Sequence, residues 1–109
     1  MSVAVDSWQL VASGEPLRRT ASVIDPADLP DGTVLIEVAG CGVCHTDLSF
    51  AVHGVRTRHA LPLTLGHEIA GVVVATGPGA EAMLHASVVV PAVLPCGHCA
   101  DCRAGRGAI

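Results

Sequence analysis

Residues 40–47 read Gly-Cys-Gly-Val-Cys-His-Thr-Asp, and residues 66–68 read Gly-His-Glu. Each segment falls where a predicted strand meets a turn, a position from which side chains can project into a cleft. A cysteine and a histidine can bind one zinc ion, and a nearby carboxylate can orient the histidine. A hydroxyl beside the metal can handle the proton of a substrate. This combination therefore favours a catalytic metal centre that joins the first segment to His67.

A second cysteine cluster lies near the end of the sequence, where two residues separate Cys96 from Cys99 and Cys99 from Cys102. Thiolates at this spacing can converge on one tetrahedral metal, usually zinc, which normally takes four ligands. The cluster supplies three of them. An iron–sulfur cluster is the alternative, but ferredoxin spacing would require a fourth cysteine at the position of Arg106. Residues 95–109 have almost no apolar periodicity, so we expect a bound metal to order them.

The pattern of apolar residues and turn signals predicts a mainly β fold with short helices. A short helix is expected from a cap at Thr46 or Asp47 to about Val52, with Leu48, Ala51 and Val52 on its buried side. Proline at position 91 argues against an unbroken central strand in the last apolar segment. The predicted strands span residues 7–12, 17–24, 33–39, 67–75 and 88–94, and loops are expected at 25–32 and 53–60.

Composition narrows the possible partners and the cellular compartment. The chain has 109 residues, a formal net charge of −4 and no lysine, so its charge gives no reason to expect nucleic acid or an anionic membrane as a partner. No apolar run approaches the roughly 18 residues of a membrane span. The first residues do not resemble a signal peptide. Five cysteines without an export signal indicate a reducing compartment, so we expect a cytoplasmic protein with metal-binding or redox cysteines rather than disulfides.

Together the three motifs, at residues 40–47, 66–68 and 96–102, resemble those of the zinc-dependent medium-chain alcohol dehydrogenases in order and separation. The resemblance extends from about Trp8 to Ile109. It implies a GroES-like catalytic domain over residues 1–109, a partly open β-barrel that includes a structural zinc lobe at 95–109. It also implies catalytic and structural zinc, NAD as cofactor, a small-molecule alcohol as substrate, and a homo-oligomer when the enzyme is complete.

Carried over to this sequence, the family motifs assign metal ligands in both clusters. Cys44 and His67 would bind the catalytic zinc, and Glu68 would be a nearby carboxylate that can sometimes reach it. The structural zinc would be held by Cys96, Cys99 and Cys102. The family spacing places a fourth structural cysteine at position 110 and the third catalytic ligand, another cysteine, further downstream.

The same resemblance assigns four further roles around the catalytic zinc. Thr46 would hydrogen-bond the reacting alcohol oxygen and pass its proton outward. Ser49 stands where many relatives carry a relay histidine, which makes it the candidate for the outer part of the proton path. Asp47 would hold His67 from behind, and His45 would approach the pyrophosphate of the cofactor.

Within the family, residues 47–50, 53–63 and 90–97 look like those of the 6-hydroxycyclohex-1-ene-1-carbonyl-CoA dehydrogenases. These enzymes belong to anaerobic benzoyl-CoA degradation and use NAD, so the resemblance implies oxidation of a cyclic hydroxyacyl-CoA to the ketone. One departure from the wider family is Leu84-His85-Ala86-Ser87, which replaces the usual Gly-Asp ahead of a strand. The sequence also has no Gly-x-Gly-x-x-Gly fingerprint of a dinucleotide-binding domain. We therefore expect a fragment that ends before that domain and is inactive alone.

Three other interpretations of the sequence are possible. The first is a zinc alcohol dehydrogenase that acts on a different alcohol. The second is a non-catalytic zinc-binding module. The third is a redox protein in which Cys41 and Cys44 form a thioredoxin-like pair, because they follow a strand and open a helix. The redox interpretation leaves His67, Glu68 and the second cysteine cluster unexplained.

Overall fold

Within residues 1–107, which the computed structural model describes, six strands form two three-stranded antiparallel sheets. One sheet has the order β2-β1-β4 and the other β3-β5-β6. The strands are β1 (Val3–Leu10), β2 (Arg18–Ile24), β3 (Val34–Gly42), β4 (Leu63–Thr64), β5 (Glu68–Thr76) and β6 (Ser87–Val90); the helices are α1 (His45–Ala51) and α2 (Ala100–Arg103), with 3-10 turns at Pro26–Asp28 and Glu81–Met83. The predicted mainly β fold with short helices is confirmed, and the two sheets do not close.

The apolar core is small for a chain in which half of the residues are hydrophobic. Leu10 on β1 and Val73 on β5 are fully buried. Along β5, Gly71 and Val73 face inward, whereas Val72 and Val74 are exposed, as the two-residue period of a strand requires. The accessible surface is 7852 Å², whereas a compact protein of 11.0 kDa exposes about 5,600 Å². Much apolar surface therefore faces outward.

The strand boundaries differ most from the prediction in β1, β3 and β6. Strand β1 begins at Val3, four residues earlier than expected. Strand β3 does not end at Gly40 but continues to Gly42, because a register shift between Val38 and Gly40 lets the strand keep pairing with β5. Strand β6 stops at Val90, because Pro91 has no N–H to donate to a neighbouring strand. The predicted continuation of β6 to residue 94 is therefore wrong.

Helix α1 begins earlier than predicted and buries a different face. Cys44, not Thr46 or Asp47, is its N-cap, and the carboxylate of Asp47 accepts a hydrogen bond from the backbone N–H of Cys44. Asp47 is the buried residue of this helix, while Leu48 and Val52 are 42% and 60% exposed. The predicted burial of Leu48 and Val52 is thus wrong. The capping bond to Asp47 fixes how α1 sits on the end of β3.

Two short elements were absent from the sequence prediction. Strand β4 pairs with the end of β1 through Gln9 and Leu10, which draws residues 53–62 back against the first sheet. Helix α2 is a single turn inside the second cysteine cluster. Both elements are too short to show periodicity in the sequence. Among the described residues, the longest helices fall far short of the length and apolarity needed to cross a membrane.

Candidate metal centres

The first candidate centre joins the N-terminus of α1 to the start of β5. Cys44 Sγ lies 2.8 Å from His67 Nε2, and His67 Nδ1 lies 3.5 Å from Asp47 Oδ1. One ligand atom from each of these three residues falls within 4.8 Å of the others. A carboxylate beside Nδ1 favours the tautomer that carries its proton there, which leaves Nε2 free to bind a metal. The three side chains therefore form a half-buried centre whose sulfur and nitrogen face each other.

The donor set of this centre fits zinc. Thiolate and imidazole are the ligands that zinc takes most often, at about 2.3 Å for sulfur and 2.0–2.1 Å for nitrogen. Tetrahedral geometry at those bond lengths places the two ligand atoms about 3.6 Å apart. The Cys44–His67 pair is 0.8 Å closer than that, at 2.8 Å, because its two atoms share a hydrogen bond. A small opening of the pair would admit the ion, with Asp47 holding His67 in place.

Backbone geometry next to His67 explains the glycine at position 66. Gly66 has a φ of +117°, which side chains rarely tolerate, and a Cβ there would lie 2.7 Å from Cys41 Sγ. The backbone at position 66 therefore lies so close to Cys41 that only glycine fits there. Cys41 itself is exposed and belongs to neither of the two clusters of potential ligands found in residues 1–107. In this structure Cys44 faces His67, so the geometry gives no support to a Cys41–Cys44 redox pair.

The other predicted site residues lie around the centre without joining it. Thr46 and His45 are exposed on the first turn of α1. Ser49 Oγ donates a hydrogen bond to the carbonyl of His45, 3.0 Å away, so its proton points into the helix backbone. Glu68 is exposed and lies against Gly42, where a Cβ would overlap its carboxylate. Glu68 is not among the three clustered ligands.

The second candidate centre is formed by Cys96, Cys99 and Cys102 in an exposed loop around α2. Cys96 Sγ and Cys102 Sγ are 3.9 Å apart, close to the roughly 3.8 Å that separates two sulfurs on a tetrahedral zinc. The sulfurs also accept backbone N–H groups: Gly97 donates to Cys102, Cys99 to Cys96, and Cys102 to Cys99, at 3.3–3.4 Å. The loop thus presents three thiols in an arrangement that fits zinc. Residues 108 and 109 of the predicted lobe 95–109 lie outside the described residues.

Backbone donors make one of these thiols unusually acidic. The N–H groups of His98 and Cys99 stabilise the thiolate of Cys96, and with smaller contributions from the side chains of Cys99 and Cys102 they lower its pKa from 9.0 to about 7. A thiolate is the form in which cysteine binds metal. With a pKa of about 7, about half of Cys96 is therefore already in the metal-binding form at neutral pH.

Sequence reasoning anticipated the ligand types but not the full part played by Asp47. This carboxylate caps α1 through the backbone of Cys44 and also faces His67, so it connects both halves of the centre. The spacing of Cys44 and Asp47 is that of a capping box, with the acidic residue three positions after the cap. That signal was available in the sequence, although cysteine is an uncommon capping residue.

A family model, the alcohol dehydrogenase GroES-like domain, matches residues 30–109, about three quarters of the chain. This chain belongs to that family. A curated relative, S-(hydroxymethyl)glutathione dehydrogenase from Escherichia coli O1:K1 / APEC, is 42% identical over 96 residues, which make up 87% of this chain and 25% of the relative. The chain therefore spans about a quarter of the length of the curated relatives that it matches.

Solved structures of similar proteins share the fold. The cobalt- and zinc-bound thermostable alcohol dehydrogenase from Pyrobaculum aerophilum superposes with a TM-score of 0.78 at 29% identity, covering 98% of this chain and 32% of that one. The crystal structure of AibC gives a TM-score of 0.80 at 30% identity, with coverages of 97% and 30%. The expected GroES-like fold is thus confirmed, and so is membership in the zinc-type alcohol dehydrogenases.

Proposed function

We propose that residues 1–109 form the N-terminal catalytic part of a zinc-dependent, NAD-linked alcohol dehydrogenase. The observation that carries this proposal is the Cys44–His67 pair, with its sulfur and nitrogen 2.8 Å apart and Asp47 behind the histidine. A structural zinc site built from Cys96, Cys99 and Cys102 would hold the lobe at residues 95–109. Glu68, in its observed position, would have to move to reach the first metal.

Zinc held by Cys44 and His67 would act as a Lewis acid toward the hydroxyl of the substrate, and NAD would supply the hydride acceptor. The chain's own residues bind and orient the reactants and move the proton. Thr46, two residues after Cys44 and exposed on α1, would accept the proton of the alcohol and pass it to water. Ser49 could extend this path only after giving up its bond to the His45 carbonyl.

Two observations support the proposal that these residues work within a longer enzyme. The chain spans about a quarter of its curated relatives, and its accessible surface of 7852 Å² is well above that of a compact protein of its mass. Residues beyond position 109 would cover apolar surface, complete both ligand sets and supply the dinucleotide-binding domain. The 109 residues alone would then be inactive. We further propose a cytoplasmic homo-oligomer.

The substrate class is a separate part of the proposal. Resemblance at residues 47–50, 53–63 and 90–97 favours a cyclic hydroxyacyl-CoA, as in 6-hydroxycyclohex-1-ene-1-carbonyl-CoA dehydrogenase. The 42% identity to S-(hydroxymethyl)glutathione dehydrogenase supports a second candidate, the hydroxymethyl adduct of glutathione. Both candidates are thiol conjugates with anionic groups. Steady-state kcat/KM values with NAD for these two substrates and for cyclohexanol would separate them, and equal or better values for cyclohexanol would contradict both.

Substitutions in the protein encoded by the full reading frame test the metal centre and the proton path. Cys44→Ser should remove one zinc per chain and abolish turnover. Cys41→Ser changes an exposed cysteine outside both clusters, so this variant should keep its full zinc content and its turnover. Thr46→Ala should keep the zinc but lower kcat by about 10²–10⁴-fold, the usual contribution of positioned proton transfer. The control is Thr20→Ala on β2. Zinc retention in Cys44→Ser, or turnover of Thr46→Ala within about twofold of the wild type, would contradict these assignments.

A further inference from the structure

A cavity of about 410 Å³ lies between the end of α1, the following loop and the end of β1. Its volume is within the range of small-molecule pockets. Leu10 is the buried part of its lining and Phe50 is half-buried, whereas Arg56, Arg58 and His59 are exposed. The cavity therefore combines two apolar side chains, Leu10 and Phe50, with basic groups near solvent.

The basic groups stand out against an acidic protein. The chain carries a formal net charge of −4, yet residues 48–67 contain no aspartate or glutamate and include both Arg56 and Arg58. Within residues 1–107, the arginine ion pairs are Arg19 with Asp6 and Arg106 with Asp101, so no carboxylate lies within 4.0 Å of either cavity arginine. Two unneutralised guanidinium groups beside one cavity favour an anionic ligand, since arginine binds phosphate and carboxylate well.

The loop that carries these arginines is tied to the rest of the fold. Gly54 N–H donates to Ser13 Oγ at 3.0 Å, and Gly14 N–H donates to the carbonyl of Ala51 at 2.7 Å. Thr57 Oγ1 donates to the carbonyl of His59, and β4 then pairs with β1. A loop held at both ends keeps its arginines near the cavity, so a ligand pays less entropy on binding.

Helix α1 connects the cavity to the Cys44–His67 centre. Cys44 caps the first turn of α1 and Phe50 lies in its last turn. At 1.5 Å of rise per residue, the helix separates the two positions by about 9 Å. A substrate could therefore place its hydroxyl at Cys44 and His67 and its anionic end at the arginines.

We propose that the cavity lined by Phe50, Arg56 and Arg58 binds the phosphate- or carboxylate-bearing end of the alcohol substrate. The proposal rests on the proposed function for its catalytic meaning, but binding at the cavity can be measured without catalysis. Coenzyme A would present phosphates and glutathione would present carboxylates. The shared chemistry is an anion attached to a chain that can contact Leu10 and Phe50 in the cavity.

The test is calorimetric binding of free coenzyme A and free glutathione, each at about 1 mM, to the full-length protein. The variants are the double change Arg56→Gln and Arg58→Gln and, as a matched control, Arg18→Gln on β2. At least one ligand should bind, and the double variant should weaken that binding about 10- to 100-fold while Arg18→Gln does not. Coenzyme A alone would identify a phosphate source, and glutathione alone a carboxylate source.

A kinetic comparison gives the second readout. The ratio of kcat/KM for the anionic substrate to that for cyclohexanol should fall about 10- to 100-fold in the double variant. Binding of neither ligand, or equal binding by wild type and double variant, would overturn the cavity assignment. Oxidation of cyclohexanol in that case would leave the proposed function standing, whereas anion binding without any oxidation would sustain the cavity and contradict the function.

Discussion

The two candidate metal centres are built by different means. The Cys44–His67 centre stands on β3, α1 and β5, with a buried aspartate behind it. The Cys96–Cys102 loop contains one turn of helix and no buried residue in it, and its neighbour Leu94 is 71% exposed. In the first centre the fold positions the ligands. In the second, the ligands and their N–H bonds position the chain, so the two centres should respond differently to loss of metal.

Removal of zinc from the full-length protein should produce the largest difference between the regions. Structural zinc contributes about 10–16 kcal/mol in small zinc modules, and residues 95–107 have no apolar core to replace it. After chelation, their amides should exchange hydrogen many times faster than in the zinc-bound protein, although local N–H bonds to the cysteine sulfurs can still form. Amides of β3 and β5 should stay protected, because strand pairing holds them. Hydrogen exchange followed by mass spectrometry measures both, and equal protection of the two regions would contradict the comparison.

Replacing one aspartate in each region compares the stability that single side chains contribute to the two centres. Asp47 is 8% exposed and accepts the Cys44 N–H, so Asp47→Ala should leave a half-buried donor unpaired and cost about 1–3 kcal/mol. It should also weaken zinc binding about 10- to 100-fold. The matched change, Asp101→Ala, removes an exposed ion pair with Arg106 and should cost about 0–1 kcal/mol. Urea unfolding gives both values. Similar losses would show that Asp47 has no special structural part.

The smallest expected effect concerns how the reactivity of the Cys96 thiol changes with pH. Backbone N–H groups lower the pKa of Cys96 from 9.0 to about 7, and the thiolate is the reactive form. In metal-free protein, alkylation of Cys96 should therefore rise as the pH increases through about 7 and level off above it. Peptide mapping after timed iodoacetamide treatment follows the residue. A midpoint near 9 would show that the N–H bonds to its sulfur are absent in solution.

Much of the site could be predicted because its residues are local in sequence. The spacing of Cys96, Cys99 and Cys102 brings three thiols together within seven residues, and residues 40–47 carry the strand end and the helix start in one segment. The approach of His67 to Cys44 required antiparallel pairing of β3 with β5. The apolar pattern predicted both strands but not their pairing. The roles of Thr46, His45 and Ser49 stay predictions.

Other features depended on contacts that no local pattern encodes. Leu48 and Val52 remain exposed because α1 turns Asp47 inward as a helix cap. Strand β4 exists only through its pairing with Leu10 and its neighbour, and two residues carry no periodicity. The cavity beside Arg56 and Arg58 forms where the loop meets β1. Such tertiary contacts override local propensity, which is why the helix face and the cavity could not be deduced from sequence.

The central claim is that Cys44 and His67 bind zinc in the full-length protein. Anomalous X-ray diffraction at the zinc edge tests it most directly, because it locates the metal and distinguishes the two centres. We predict a zinc ion about 2.3 Å from Cys44 Sγ and about 2.0–2.1 Å from His67 Nε2. Zinc found only between Cys96, Cys99 and Cys102, with Cys44 Sγ and His67 Nε2 still 2.8 Å apart, would contradict the claim.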